Sequence, residues 1–139
     1  MGRAATEPGR AEGRLCVLLV DDVADNRDVY AQYLEAQGHC VYTASSGLEA
    51  IDIAVRTKPD VVVMDLGLPG LDGWDTTRIL KGRKETQKIP VLALTAHVYA
   101  TDRQRAMEAG TVGFVCKPCL PVRLMEEIHL VAEKARGSG

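Results

Sequence analysis

No apolar run in this chain approaches the roughly 20 residues needed to span a bilayer, so a membrane-crossing helix is not expected. Met1 to Arg14 is rich in Gly, Ala, Arg and Glu without an apolar h-region, and does not read as a secretion signal. An excess of one charge is lacking too. Seventeen basic residues face 19 acidic ones, a net charge of −2, which advertises neither a nucleic-acid nor a membrane surface. Four cysteines in 139 residues do not make a secreted disulfide framework. Neither G-x-x-x-x-G-K-[ST] nor G-x-G-x-x-G occurs, so nucleotide binding is unsupported. Cytoplasm is the expected compartment.

What remains is an ordinary globular composition, 46% apolar and 26% charged, in a chain the length of one domain. The expected layout is a disordered leader over 1–13, one domain over 14–135 and a flexible tail over 136–139. Within the domain two periods alternate. Uninterrupted apolar runs at 15–20, 61–64, 91–94 and 112–116 suit strands covered on both faces. A shorter, more polar run, Cys40 to Thr43, suits a sheet edge. Between them lie amphipathic segments of helical length, about 25–37, 47–57, 74–81 and 100–109, and a last one starting near Pro121. The first should turn Val29, Tyr30, Tyr33 and Leu34 inward. Gly38 and Gly110 stand where helix-ending glycines belong, and Pro59 stops the second helix. Strands alternating with helices predict an α/β fold with a doubly wound, five-stranded parallel sheet.

The informative pattern is where the chemistry-bearing residues fall. Asp21 and Asp22 follow the first apolar run, Asp65 the third, Thr95 the fourth and Lys117 the fifth. In a parallel sheet these strand ends share one edge, where open α/β sheets bind ligands. A polar residue after a strand is common, because loops begin there. That accounts for any one of the five and poorly for all five together. Three converging carboxylates repel and call for a cation. Mg²⁺ prefers such oxygen ligands, and a carboxylate can act as nucleophile toward a phosphoryl group. Gly67 stands two after Asp65, where an aspartate-nucleophile phosphatase of the haloacid-dehalogenase kind would carry a second Asp.

Leu18-Leu19-Val20-Asp21-Asp22, Met64-Asp65-Leu66-Gly67-Leu68-Pro69-Gly70-Leu71-Asp72-Gly73, Ala93-Leu94-Thr95-Ala96 and Cys116-Lys117-Pro118 together resemble the response-regulator receiver domains of two-component phosphorelays, the CheY-like group. The resemblance covers nearly all of 14–135. It implies strand order 2-1-3-4-5 and a set of roles. Asp65 would be the phosphoacceptor. Asp21, Asp22, Asp65 and the backbone carbonyl of Gly67 would hold Mg²⁺. Thr95 and Lys117 would meet the phosphoryl oxygens, and Phe114 would be the rotating switch aromatic. The Lys117–Pro118 bond is a candidate cis peptide, and Gly67 and His97 are candidates for tuning phosphoryl lifetime. The donor would be a sensor histidine kinase or a histidine phosphotransfer protein. A downstream protein would read the face made by the fourth helix, fifth strand and fifth helix, and a homodimer on phosphorylation is left open. Such a chain assists its own phosphorylation and dephosphorylation but is not a turnover enzyme. It would be stand-alone or part of a larger regulator or hybrid kinase.

Two rival readings are a receiver-like interaction module that works without phosphorylation and a redox dithiol at Cys116-Lys117-Pro118-Cys119. Asp72-Gly73 reads as turn chemistry, Trp74 as packing at a helix start, and His39 and His129 as surface or core-edge residues. Lys81 to Lys84 reads as a solvated basic loop, and Tyr99 as a surface or contact residue.

Overall fold

The computed structural model of the chain describes residues 13–68, 70–96 and 100–138. The expected leader, His97 and Tyr99 therefore lie outside, or all but outside, the described residues. Five strands, β1 (Cys16–Val20), β2 (Cys40–Ala44), β3 (Val61–Met64), β4 (Val91–Thr95) and β5 (Gly113–Cys116), alternate with five helices. The helices are α1 (Ala24–Ala36), α2 (Gly47–Thr57), α3 (Gly73–Gly82), α4 (Ala100–Ala109) and α5 (Pro121–Ser138). All strand pairs are parallel, in the order β2-β1-β3-β4-β5. β1 is an inner strand, pairing through Leu18 with Tyr42 of β2 and Val62 of β3.

Two separate cores explain why the strands are apolar without alternation. Leu18, Val20, Val62, Met64 and Ala93 pack with Ala50 and Ile51 of α2, Leu80 of α3 and Ala106 of α4 on one face. Val17, Leu19, Val61, Val63, Leu92 and Leu94 pack with Leu34 of α1 and Leu124, Ile128 and Val131 of α5 on the other. Both side-chain sets of each inner strand are thus buried, each large one contributing about 1.5–3 kcal/mol by leaving water.

Helix ends follow local chemistry. Ser46 caps α2 by accepting from the Glu49 N–H, while Glu49 accepts from the Ser45 N–H. Gly38, at φ +94°, ends α1 with its N–H on the Glu35 carbonyl. Two expectations change. Val29 points outward and is 54% exposed; with 3.6 residues per turn, the inward stripe that holds Tyr30 and Leu34 takes in Ala31 instead. α5 spans Pro121–Ser138, and a glycine in its terminal turn costs only about 1 kcal/mol against alanine. The second is Lys81, which is only partly exposed rather than part of a fully solvated loop. It lies in the last turn of α3 and donates to the Ile89 carbonyl at 3.0 Å, and burial pulls its ammonium below the usual lysine range.

Candidate functional site

The strand order reverses between β1 and β3, whose following loops bear Asp21, Asp22 and Asp65, the place where open α/β sheets form a binding crevice. The Asp65 N–H donates to the Val20 carbonyl and the Asp21 N–H to the Ala44 carbonyl, so the β-ladder itself sets where both carboxylates start. One ligand oxygen from each of Asp21, Asp22 and Asp65 lies within 4.8 Å of the others. Asp21 and Asp65 are nearly buried, 5% and 8% exposed, and Asp22 is exposed.

Lys117, the first residue past β5, reaches across the sheet edge. Its Nζ donates to Asp21 Oδ2 at 2.8 Å and to Asp65 Oδ2 at 3.3 Å. Burial works against its charge, but the hydrogen bond to Asp21 and the field of both carboxylates outweigh it and raise the ammonium above the usual lysine range. Asp65 moves the other way from a normal carboxylate: burial pushes its pKa up, helped by Asp21. The Gly67 N–H, donating to Asp65 Oδ1 at 2.9 Å, and Lys117 oppose the rise without cancelling it. Three carboxylates against one ammonium leave the crevice electronegative, built of the hard oxygen donors that Mg²⁺ takes.

Thr95 is fully buried at the end of β4, and its carbonyl accepts from the Lys117 N–H at 2.8 Å. Phe114 sits on β5, half-buried against the core that includes Ala93. Gly67 is exposed in the loop after Asp65. The Lys117–Pro118 peptide is cis. Asp21, Asp22, Asp65 and Lys117 are therefore brought into one cluster, Thr95 abuts it through the backbone, and His97 lies outside the described residues.

Sequence reasoning missed three contributors. Gly73, read as half of a turn, opens α3 after Asp72, whose side chain caps the helix by accepting from the Asp75 N–H. Its φ is not in the left-handed region; a Cβ there would collide with the Asp65 carbonyl oxygen and stand 2.6 Å from Leu66 Cα. Glycine lets the helix press against the Asp65 loop. Arg27 and Tyr30 of α1 touch the loops on either side of the crevice, Arg27 Nη1 donating to the Asp21 carbonyl and the Tyr30 hydroxyl to the Cys119 carbonyl. Arg27 carried no pattern of its own, and Tyr30 was absorbed into an apolar stripe.

The dithiol gains little. Cys116 and Cys119 are both free thiols, and burial pushes the Cys119 thiol up, with Arg123 opposing and Glu127 adding to the rise. That is the opposite of an activated cysteine. Among the described residues no helix is long and apolar enough to cross a membrane.

A doubly wound sheet with an acidic crevice at its switch point defines the class, and comparison with known proteins gives the family. Residues 17–129 match the response regulator receiver domain model. Polar-differentiation response regulators DivK of Brucella ovis and Brucella suis are 35% identical over 112 residues, 81% of this chain and 91% of theirs. Among solved structures, Vibrio cholerae chemotaxis protein CheY4 superposes with a TM-score of 0.81 at 27% identity, covering 86% of this chain and 99% of that one. The receiver domain of the sensor histidine kinase PA1611 from Pseudomonas aeruginosa, with a magnesium ion coordinated in its active-site cleft, gives 0.79 at 29% identity, over 87% and 99%. The chain belongs to the response regulator receiver family.

Proposed function

We propose that this receiver accepts a phosphoryl group on Asp65 from the phosphohistidine of a sensor histidine kinase or a histidine phosphotransfer protein. The observation that carries this reading is the cluster itself: Asp21, Asp22 and Asp65 oxygens within 4.8 Å, with the Lys117 ammonium bonded to two of them. Asp21, Asp22 and Asp65, with the Gly67 carbonyl beside them, would hold Mg²⁺, which when bound supplies neutralisation of phosphoryl charge.

In the transfer an Asp65 carboxylate oxygen attacks phosphorus. The new O–P bond forms as the N–P bond to the donor imidazole breaks, and the imidazole leaves with the bonding pair and takes up a proton. Burial holds the Asp65 pKa above the ordinary carboxylate value, which makes its carboxylate a more basic nucleophile than a solvated one. Lys117 loses a carboxylate partner when Asp65 is esterified and is free to pair with a phosphoryl oxygen. The product carries roughly one and a half to two negative charges. It draws in the Thr95 hydroxyl, Phe114 turns toward the space Thr95 leaves, and the face of α4, β5 and α5 is altered for a downstream protein in the cytoplasm. The chain does not turn over a substrate; it holds and loses one phosphoryl group, with Gly67 and His97 bearing on its lifetime.

Exposed apolar side chains close in sequence to the site residues, Val23 after Asp22 and Leu120 and Val122 after Lys117, suit a protein donor better than a small one. Incubation with acetyl phosphate and Mg²⁺ followed by intact mass tests the acceptor. Wild type should gain one phosphoryl mass and Asp65→Asn none; equal behaviour of the two would leave the interaction-module reading in its place.

A further inference from the structure

Helix α1 reaches both loops that flank the crevice. Arg27 and Tyr30 stand three residues apart, and so on one side of the helix. Arg27 Nη1 donates to the Asp21 carbonyl at 2.6 Å. The Tyr30 hydroxyl donates to the Cys119 carbonyl at 2.8 Å, across 89 residues of sequence. Asp21 is the first residue of the β1–α1 loop, and Cys119 lies two residues past Lys117.

We infer that Arg27 and Tyr30 are positioning residues that clasp the acidic loop and the lysine loop to one rigid helix, and so set how Asp21 and Lys117 meet. The inference rests on the phosphoacceptor reading above and deepens it.

Apolar packing also docks α1, the ring of Tyr30 included. The helix is held to the sheet by Leu34, with Ala31 and the ring of Tyr33 packed beside it. The guanidinium and the phenol oxygen instead end on backbone carbonyls of the site loops. Asp21 is then fixed at several points: its carbonyl by Arg27, Oδ1 by the Val23 N–H at 2.9 Å and Oδ2 by Lys117. Lys117 is fixed on both sides, by its N–H on the Thr95 carbonyl and, through Cys119, by Tyr30. Burial keeps the Tyr30 phenol protonated, as a donor to a carbonyl must be. The two contacts have separable consequences. Arg27 braces a metal-holding carboxylate, whereas Tyr30 braces the loop of the ammonium that meets the phosphoryl group.

The test uses the full chain and the variants Arg27→Gln, Arg27→Lys and Tyr30→Phe. Calorimetric titration with MgCl₂ alone, without any phosphodonor, is paired with the rate of mass gain from acetyl phosphate at saturating Mg²⁺, and with melting temperature. Losing one such hydrogen bond should show as a change of roughly three- to tenfold. Arg27→Gln should weaken Mg²⁺ binding by that factor, Arg27→Lys should recover part of it, and the rate at saturating Mg²⁺ should return toward wild type. Tyr30→Phe should leave the Mg²⁺ affinity alone and slow phosphorylation at saturating Mg²⁺ by a similar factor. Lower melting temperatures with wild-type affinity and rate would overturn the clasp, as would an equal loss of both parameters in both variants. If wild type binds Mg²⁺ but gains no phosphoryl group, the acceptor reading fails instead, and the Arg27 half is still decided by the titration.

Discussion

The two ends of the sheet both bury titratable groups among like charges, and they resolve the conflict differently. At the amino-terminal end, His39 is buried just before β2, its ring centroid 5.0 Å from that of His129 on α5, in a cleft that Arg14 also lines. At the carboxyl-terminal end, Asp65 and Asp21 are buried together beside Asp22. Burial, then His129, then Arg14 pull the His39 pKa down, so it stays neutral, with Nδ1 accepting the Leu15 N–H at 3.1 Å. Neutral imidazole ends the conflict within the protein. At the acidic end only Lys117, among the described residues, is seen to bond the carboxylate oxygens, those of Asp21 and Asp65, while Arg27 ends on the Asp21 backbone carbonyl, and the three carboxylates keep an appetite for another cation. The difference teaches which end is built to bind: the one whose charge conflict is left for something else to settle.

Lys117→Ala should break the comparison most severely. It removes the ammonium from Asp21 and Asp65, and the rate of mass gain from acetyl phosphate should fall by about 10²-fold, the usual loss when one preorganised donor is taken from developing charge. Gly73→Ala comes next. Its Cβ would meet the Asp65 carbonyl and Leu66, and urea unfolding should show a loss of about 1–3 kcal/mol, with slower phosphorylation because the Asp65 loop must shift.

Asp65→Asn should raise the melting temperature of the Mg²⁺-free protein at pH 7. The native pKa of Asp65 lies above its ordinary 3.8, so the folded state binds the proton more tightly than the unfolded one. The stability of wild type therefore rises as pH falls through that raised pKa, and above it the charged carboxylate is a burden that Asn lacks. A melting temperature for Asp65→Asn at or below wild type would contradict this. His129→Ala should have the smallest effect, under about 1 kcal/mol, read as pH dependence. The native pKa of His39 lies below its ordinary 6.5, so its contribution is complete above that value and is lost as pH falls through the lowered one. Removing His129 should lessen that acid loss in melting curves between pH 7 and 5.

Much of this was legible from residues alone, for a physical reason. Strands buried on both faces leave unbroken apolar runs, so β1, β3 and β4 announce themselves, and a parallel sheet then forces Asp21, Asp65, Thr95 and Lys117 to one edge. The polar run from Cys40 does lie at a sheet edge, in β2. What stayed hidden depends on distances that sequence spacing does not encode. The closeness of α3 to the Asp65 loop gives Gly73 its meaning, and the reach of Tyr30 to Cys119 spans most of the chain. Val29 failed because an apolar residue one step off the inward stripe looks the same in sequence as one on it.

The most direct measurement of the central claim is transfer from a phosphorylated histidine phosphotransfer protein in excess Mg²⁺, followed by mass spectrometry of both proteins and peptide mapping of this one. One phosphoryl group should leave the donor histidine and appear on the peptide containing Asp65, with none on Asp65→Asn and none when Mg²⁺ is chelated. Transfer that persists in Asp65→Asn, or a phosphoryl group mapped to another residue, would contradict the account.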